Sequence, residues 1–210
     1  MSNMMVMRVS VEGIRPLLWN AFSVDLLSGT KRAKTGSAGN DPEEWRRTVL
    51  LTPDRMLYLL PSYAFGCIRD AARYTKEGKG SVQRTVAATL QILDDIVLVD
   101  RSVPKELLEN PQDFYNKREE SVYIDVSGVK NPATKGKNVR YRIACSKGWK
   151  CSFSLLYDIT LVSRNTMLSV LNDAGSLVGL GDGRSIGFGR FRILEIKESV
   201  YQSDAEKTTA

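Results

Sequence analysis

The residues with the clearest chemical content in this chain are arginines and lysines, and a few short segments concentrate them. One segment runs Gly179-Leu180-Gly181-Asp182-Gly183-Arg184-Ser185-Ile186-Gly187-Phe188-Gly189-Arg190. Its glycines permit positive φ and close approach of another backbone. Arg184 and Arg190 add guanidinium groups, whose planar fork fits phosphate oxygens. Such a loop can follow a phosphate chain. It can equally be a turn that packs a helix tightly against a strand. It is neither a P-loop, because GxxxxGK[ST] is absent, nor a dinucleotide fingerprint, which follows a strand and opens a helix.

A second segment, Gly128 to Cys151, carries Lys130, Lys135, Lys137, Arg140, Arg142, Lys147 and Lys150 with no acidic residue among them. Tyr141 and Trp149 are interleaved. Cations hold phosphates and aromatic faces take unstacked bases, so this is a candidate nucleic-acid surface; it also reads as a solvated basic hairpin. Strand alternation puts Arg140 and Arg142 on one face and Tyr141 on the other. Two smaller groups are Arg69, Arg73 and Lys76, at i, i+4, i+7 of a helical stretch, and Lys31, Arg32 and Lys34 in a loop. Trp149 and Phe188 are the candidate base-stacking residues.

Acid–base chemistry is narrowed by one count: the chain has no histidine. Ser-His-Asp hydrolysis, HExxH zinc sites and histidine-based nuclease sites are therefore excluded. Asp94 and Asp95 are adjacent and point apart in any regular element. Asp41, in a loop, and Asp182, in the glycine segment, are the remaining catalytic or metal-binding carboxylates to test. Cys67, Cys145 and Cys151 include no CxxC pair and read as small buried hydrophobes in a reducing compartment. No cofactor is expected.

The elements that position these residues follow from patterning. At 210 residues the chain favours one domain, and its net charge of +6 is mild. Residues 5–12 alternate as a strand. Residues 28–42 are polar and glycine-containing, and read as a mobile loop. Pro61 opens a helix over 61–75, with Ala64, Phe65, Ile68, Ala71 and Ala72 on one face. Ile96–Val99 and Val122–Val126 are short strand-like runs. Val139–Cys145 and Cys151–Asp158 read as an antiparallel hairpin turning at Gly148. A second helix starts at Ser163 as N-cap and stops at Gly175. Phe191–Ile196 is the last strand. The order is βαββαβ, an α+β ferredoxin-like core over 1–199, with insertions at about 14–60 and 77–136 and a frayed tail at 200–210. No apolar run is long enough to span a membrane, and no signal peptide opens the chain. A cytoplasmic location is expected.

Two segments resemble a known family. Leu59-Leu60-Pro61-Ser62-Tyr63-Ala64-Phe65-Gly66-Cys67-Ile68-Arg69-Asp70-Ala71-Ala72 resembles the segment that opens the first helix in RAMP proteins, the RNA-binding subunits of CRISPR effector complexes. Gly179 to Arg190 resembles the C-terminal glycine-rich loop of that superfamily, and βαββαβ agrees with its RRM-like core. Tyr63 and Ala64 depart from the small polar pair of the family, and Pro61 to Gly66 is one residue shorter. Val139 through Arg192 also resembles small phage and mobile-element proteins. The resemblance carries over Ser62, Gly66, Arg69, Gly181, Gly183, Arg184, Gly187 and Gly189. It implies a non-catalytic backbone subunit that oligomerises with copies of itself along a single-stranded guide RNA, beside other effector subunits. The 28–42 or 128–138 loop would be the thumb. Some type III backbone subunits cut target RNA with a loop aspartate, which here would be Asp41. A nucleic-acid-binding or assembly protein of a phage or mobile element is the further alternative.

Overall fold

A computed structural model describes residues 3–21, 41–130 and 137–201. In chain order the elements are β1 (Met4–Gly13), β2 (Leu17–Leu18), α1 (Glu44–Thr48), β3 (Met56–Leu59), α2 (Pro61–Ala71), β4 (Lys76–Glu77), β5 (Gly80–Ser81) and α3 (Gln83–Thr89). They continue as β6 (Gln91–Ile92), β7 (Val97–Ser102), α4 (Lys105–Glu109), β8 (Val122–Lys130), β9 (Lys137–Cys145), β10 (Lys150–Asp158), α5 (Arg164–Asp173) and β11 (Phe191–Val200).

The main sheet runs β11-β1-β10-β7-β3, with β6 also on β10. Every pairing in it is antiparallel. Taking β1, β7, β10 and β11 as the four core strands, with α2 after the first and α5 after the third, the spatial order is 4-1-3-2. The chain is thus α+β with a ferredoxin-like βαββαβ core. Alternation explains its burial: Met7, Val9 and Val11 of β1, and Phe153, Leu155 and Tyr157 of β10, face inward. Ala64, Cys67, Ile68 and Ala71 of α2, with Met167, Val170 and Leu171 of α5, join the same core.

The expected hairpin of 139–145 with 151–158 does not form. β9 pairs with β8 and β2 in a separate three-stranded sheet, whereas β10 enters the main sheet beside β1. An alternating strand accepts any partner that shares its buried face, so the pattern did not choose between them. The second core strand is β7, inside the segment 77–136. Helix α2 ends at Ala71, and Lys76 lies in the β4–β5 hairpin rather than on the helix.

Ser163 caps α5 as expected, accepting from the Thr166 amide at 3.1 Å. Gly175 is not the stop. The helix continues as a π-turn through Val178, and Gly179, at φ +90°, ends it. Gly175 is needed for packing, since a Cβ there would lie 2.4 Å from the Phe191 carbonyl oxygen. Cys67, Cys145 and Cys151 are free and buried. Among the described residues no helix is long and apolar enough to cross a membrane.

Candidate nucleic-acid groove

Three elements enclose a groove of about 1080 Å³: α2, the loop between α5 and β11, and the β8–β9 hairpin. Helical spacing lays Ser62, Gly66 and Asp70 along one flank of α2, opposite its buried face, and Arg73 follows in the turn after the helix. The glycine loop supplies Gly181, Gly183, Arg184 and Arg190, and β9 supplies Arg140 and Arg142. The two strongest sequence signals therefore meet at one site, joined there by Arg73 of the helix stripe.

The glycine loop is a packed turn on its inner side. Gly181 stands at φ +72°, and a Cβ there would lie 2.5 Å from the Leu18 carbonyl oxygen. Gly189 is tighter still, with 1.8 Å to the Leu180 oxygen. The Asp182 amide donates to Leu18 O and the Gly189 amide to Pro16 O. The packing reading holds on the inner side, where the backbone is locked against the chain after β1, while the other side of the loop lines the groove.

Charge pairing sorts the arginines. Arg69 donates through Nε and Nη2 to Asp70 at 3.1 and 2.9 Å. Arg73 and Arg184 reach the same carboxylate only at 3.5 and 3.4 Å, so three guanidinium groups share one acid. Arg190 Nη1 is shielded from solvent with no hydrogen-bond partner among the described residues. A buried unpaired donor of a charged group is costly. Burial pushes the Cys67 thiol beneath these arginines up to about 12, although Arg184 and Arg190 pull the other way. Burial, then the Asp182 carboxylate, raise the pKa of the Tyr63 phenol, which remains a hydroxyl donor at neutral pH.

Arg142 is not the free phosphate ligand expected from sequence. It is 6% exposed and pairs with Asp125 at 3.2 Å and Asp182 at 2.9 Å. Its Nη2 also donates to Ser127, whose hydroxyl donates to Asp125. This network ties the glycine loop to the hairpin. Arg140, on the same face as expected, is paired with Glu44 at 2.6 Å and donates to Asn20. Tyr141 instead packs against Tyr115.

Trp149 cannot stack on a base. It is fully buried over Gly13, and its indole N–H donates to the Arg15 carbonyl at 2.8 Å. Phe188 packs against the small cluster of Leu18, Tyr123 and Ala144. Asp41 accepts from the Glu43 amide and pairs with Arg47, so its carboxylate is engaged at the start of α1. Among the described residues no three metal-ligating side chains converge. Lys31, Arg32, Lys34 and Lys135 lie outside the described residues, as do most of the 28–42 loop and residues 131–136 of the other thumb candidate. The backbone of Lys137 begins β9.

Sequence reasoning missed Asp70, although its position beside Arg69 and three before Arg73 is a legible helical pairing signal. Asp125 and Glu44 were missed without such a signal, since each meets its arginine across separate elements.

No family model matches the chain, and no curated protein matches it by sequence. Among solved structures, its fold is similar to a chain in the cryo-EM structure of the Type III-B Cmr-beta bound to cognate target RNA. The TM-score is 0.52 at 12% identity, over 93% of this chain and 60% of that one. The likeness is one of fold, and this chain spans three fifths of that neighbour's length.

Proposed function

We propose that this protein is a non-catalytic, RNA-binding backbone subunit of a CRISPR-type ribonucleoprotein complex. Copies of it line up along a single-stranded guide RNA, beside other effector subunits. The observation that carries this reading is the groove, where Arg73, Arg184 and Arg190 face a strand-sized cleft with only Asp70 shared between the first two. The similar fold comes from a complex bound to target RNA, which supports the same ligand class here. Ser62 and Gly66 keep the α2 wall low, and the glycine loop keeps a backbone wall opposite it. Phosphates run between these walls and meet the arginines, so affinity is electrostatic and depends on salt.

The test is the nucleic acid that accompanies the purified protein. A discrete short RNA, lost in the Arg184→Ala/Arg190→Ala double variant, is the expected result. Protein that is free of nucleic acid and fails to bind an added single-stranded oligonucleotide overturns the proposal.

A further inference from the structure

Trp149 is buried, Phe188 is partly buried against Leu18, Tyr123 and Ala144, and neither lines the groove, so a contact to a base within it must come from other side chains. Val129 of β8, 40% exposed, lines it on the hairpin side, and three further apolar side chains line it while remaining open to solvent: Tyr74 is 52% exposed, Leu177 44% and Ile186 71%. These three come from the turn after α2, the π-turn after α5 and the short 3₁₀ turn of the glycine loop. Two contacts bring these elements together. Thr75, next to Tyr74, donates to Asp173 at 3.0 Å, and Leu177 stands one turn beyond Asp173. Arg184, two residues before Ile186, reaches Asp70, one turn before Tyr74. Apolar groups this exposed gain little from the core, and they share the groove with Arg73, Arg184 and Arg190.

We infer that Tyr74, with Leu177 and Ile186, forms a seat for one unpaired nucleobase, so that the groove selects single strands over duplex. This inference rests on the RNA-groove reading above. Arg73 directly precedes Tyr74, and Arg184 lies two residues before Ile186. Cation and apolar surface therefore alternate along the groove, as phosphate and base alternate along a strand. A phenol ring offers a stacking face that any base can use. In a duplex the bases lie inside the helix and cannot reach it.

The test compares binding of labelled oligouridylate, an RNA duplex of equal length and inorganic polyphosphate, which has phosphates and no bases. Tyr74→Ala should weaken oligouridylate binding about fivefold, from the loss of one stacked base. It should leave polyphosphate affinity and the salt dependence unchanged. Tyr74→Phe keeps the ring and should restore the lost affinity. Arg184→Ala should weaken oligouridylate and polyphosphate alike, since both place phosphates in the groove, and the wild-type protein should bind the duplex more weakly than oligouridylate. Oligouridylate binding unaltered by Tyr74→Ala overturns the base seat, as does an equal loss for polyphosphate. If the wild-type protein binds neither oligouridylate nor polyphosphate, the groove reading itself fails and the base seat falls with it.

Discussion

If the groove holds RNA as proposed, replacing Arg184 by alanine removes one phosphate contact from a small and countable set, and salt reads that number. Among the described residues, three groove arginines lack a carboxylate of their own. Arg69 takes the short bonds to Asp70, leaving Arg73 and Arg184 at 3.5 and 3.4 Å, and Arg190 Nη1 has no hydrogen-bond partner there. Arg140 and Arg142 are held by Glu44, Asp125 and Asp182. Each phosphate neutralised on a single strand contributes roughly −0.7 to the slope of log K against log salt, so three contribute about −2. A fourfold rise in salt should then weaken binding about 20-fold. Arg184→Ala should flatten the slope to about −1.4, and the same rise should cost about sevenfold. The assay is fluorescence anisotropy on an oligouridylate long enough for one protomer, at a series of KCl concentrations. A wild-type slope near zero refutes the reasoning. So does an Arg184→Ala protein that binds more weakly with an unchanged slope.

Other perturbations follow from the same geometry. Gly187→Ala meets no atom within 4 Å and suffers only its φ of +92°, so denaturant unfolding should show a loss of about 1 kcal/mol. Gly189→Ala meets the Leu180 oxygen at 1.8 Å as well as a φ of +70°, and should lose about 3 kcal/mol or more. Arg142→Met leaves Asp125 buried without its cation and should destabilise by about 3 kcal/mol, with part recovered in the Arg142→Met/Asp125→Asn double variant. Burial raises the pKa of all three thiols, Cys67 to about 12, so the folded protein should resist iodoacetamide at pH 8. A raised thiol pKa also means that stability is full below the ordinary thiol pKa and declines as pH rises above it; alkaline unfolding with and without Cys67→Ala checks the sign.

Local pattern made much of the fold legible. The β1 alternation, Pro61 at the start of α2, Ser163 as a cap and the β11 alternation all stand where local rules put them. Partner choice was not legible. The alternation of β9 is the same whether it pairs with β8 or β10, and only the global packing decides. The site divided along the same line. The glycine loop, Arg73, Arg184 and Arg190 converge, because each sits on or beside an element whose own signals were clear, and Arg69 reaches the site only through Asp70. Arg142 and Trp149 misled because their partners lie far off in sequence. Asp182 is 40 residues from Arg142, and Arg15 is 134 residues from Trp149. A basic segment without acids of its own still finds them, from the neighbouring strand as Arg142 does with Asp125, or from another element as with Asp182. The small Gly13 beneath the indole shows the same kind of long-range fit, since a Cβ there would lie 2.0 Å from the ring.

The central claim is that RNA lies in the groove between α2 and the glycine loop. The most direct measurement is photocrosslinking of 4-thiouridine oligonucleotides to the full chain, with mass spectrometry of the crosslinked peptides. The account predicts crosslinks within residues 61–74 and 177–190. Crosslinks confined to the opposite, open face of the main sheet, around Ile96, Leu98 and Leu194, would contradict it.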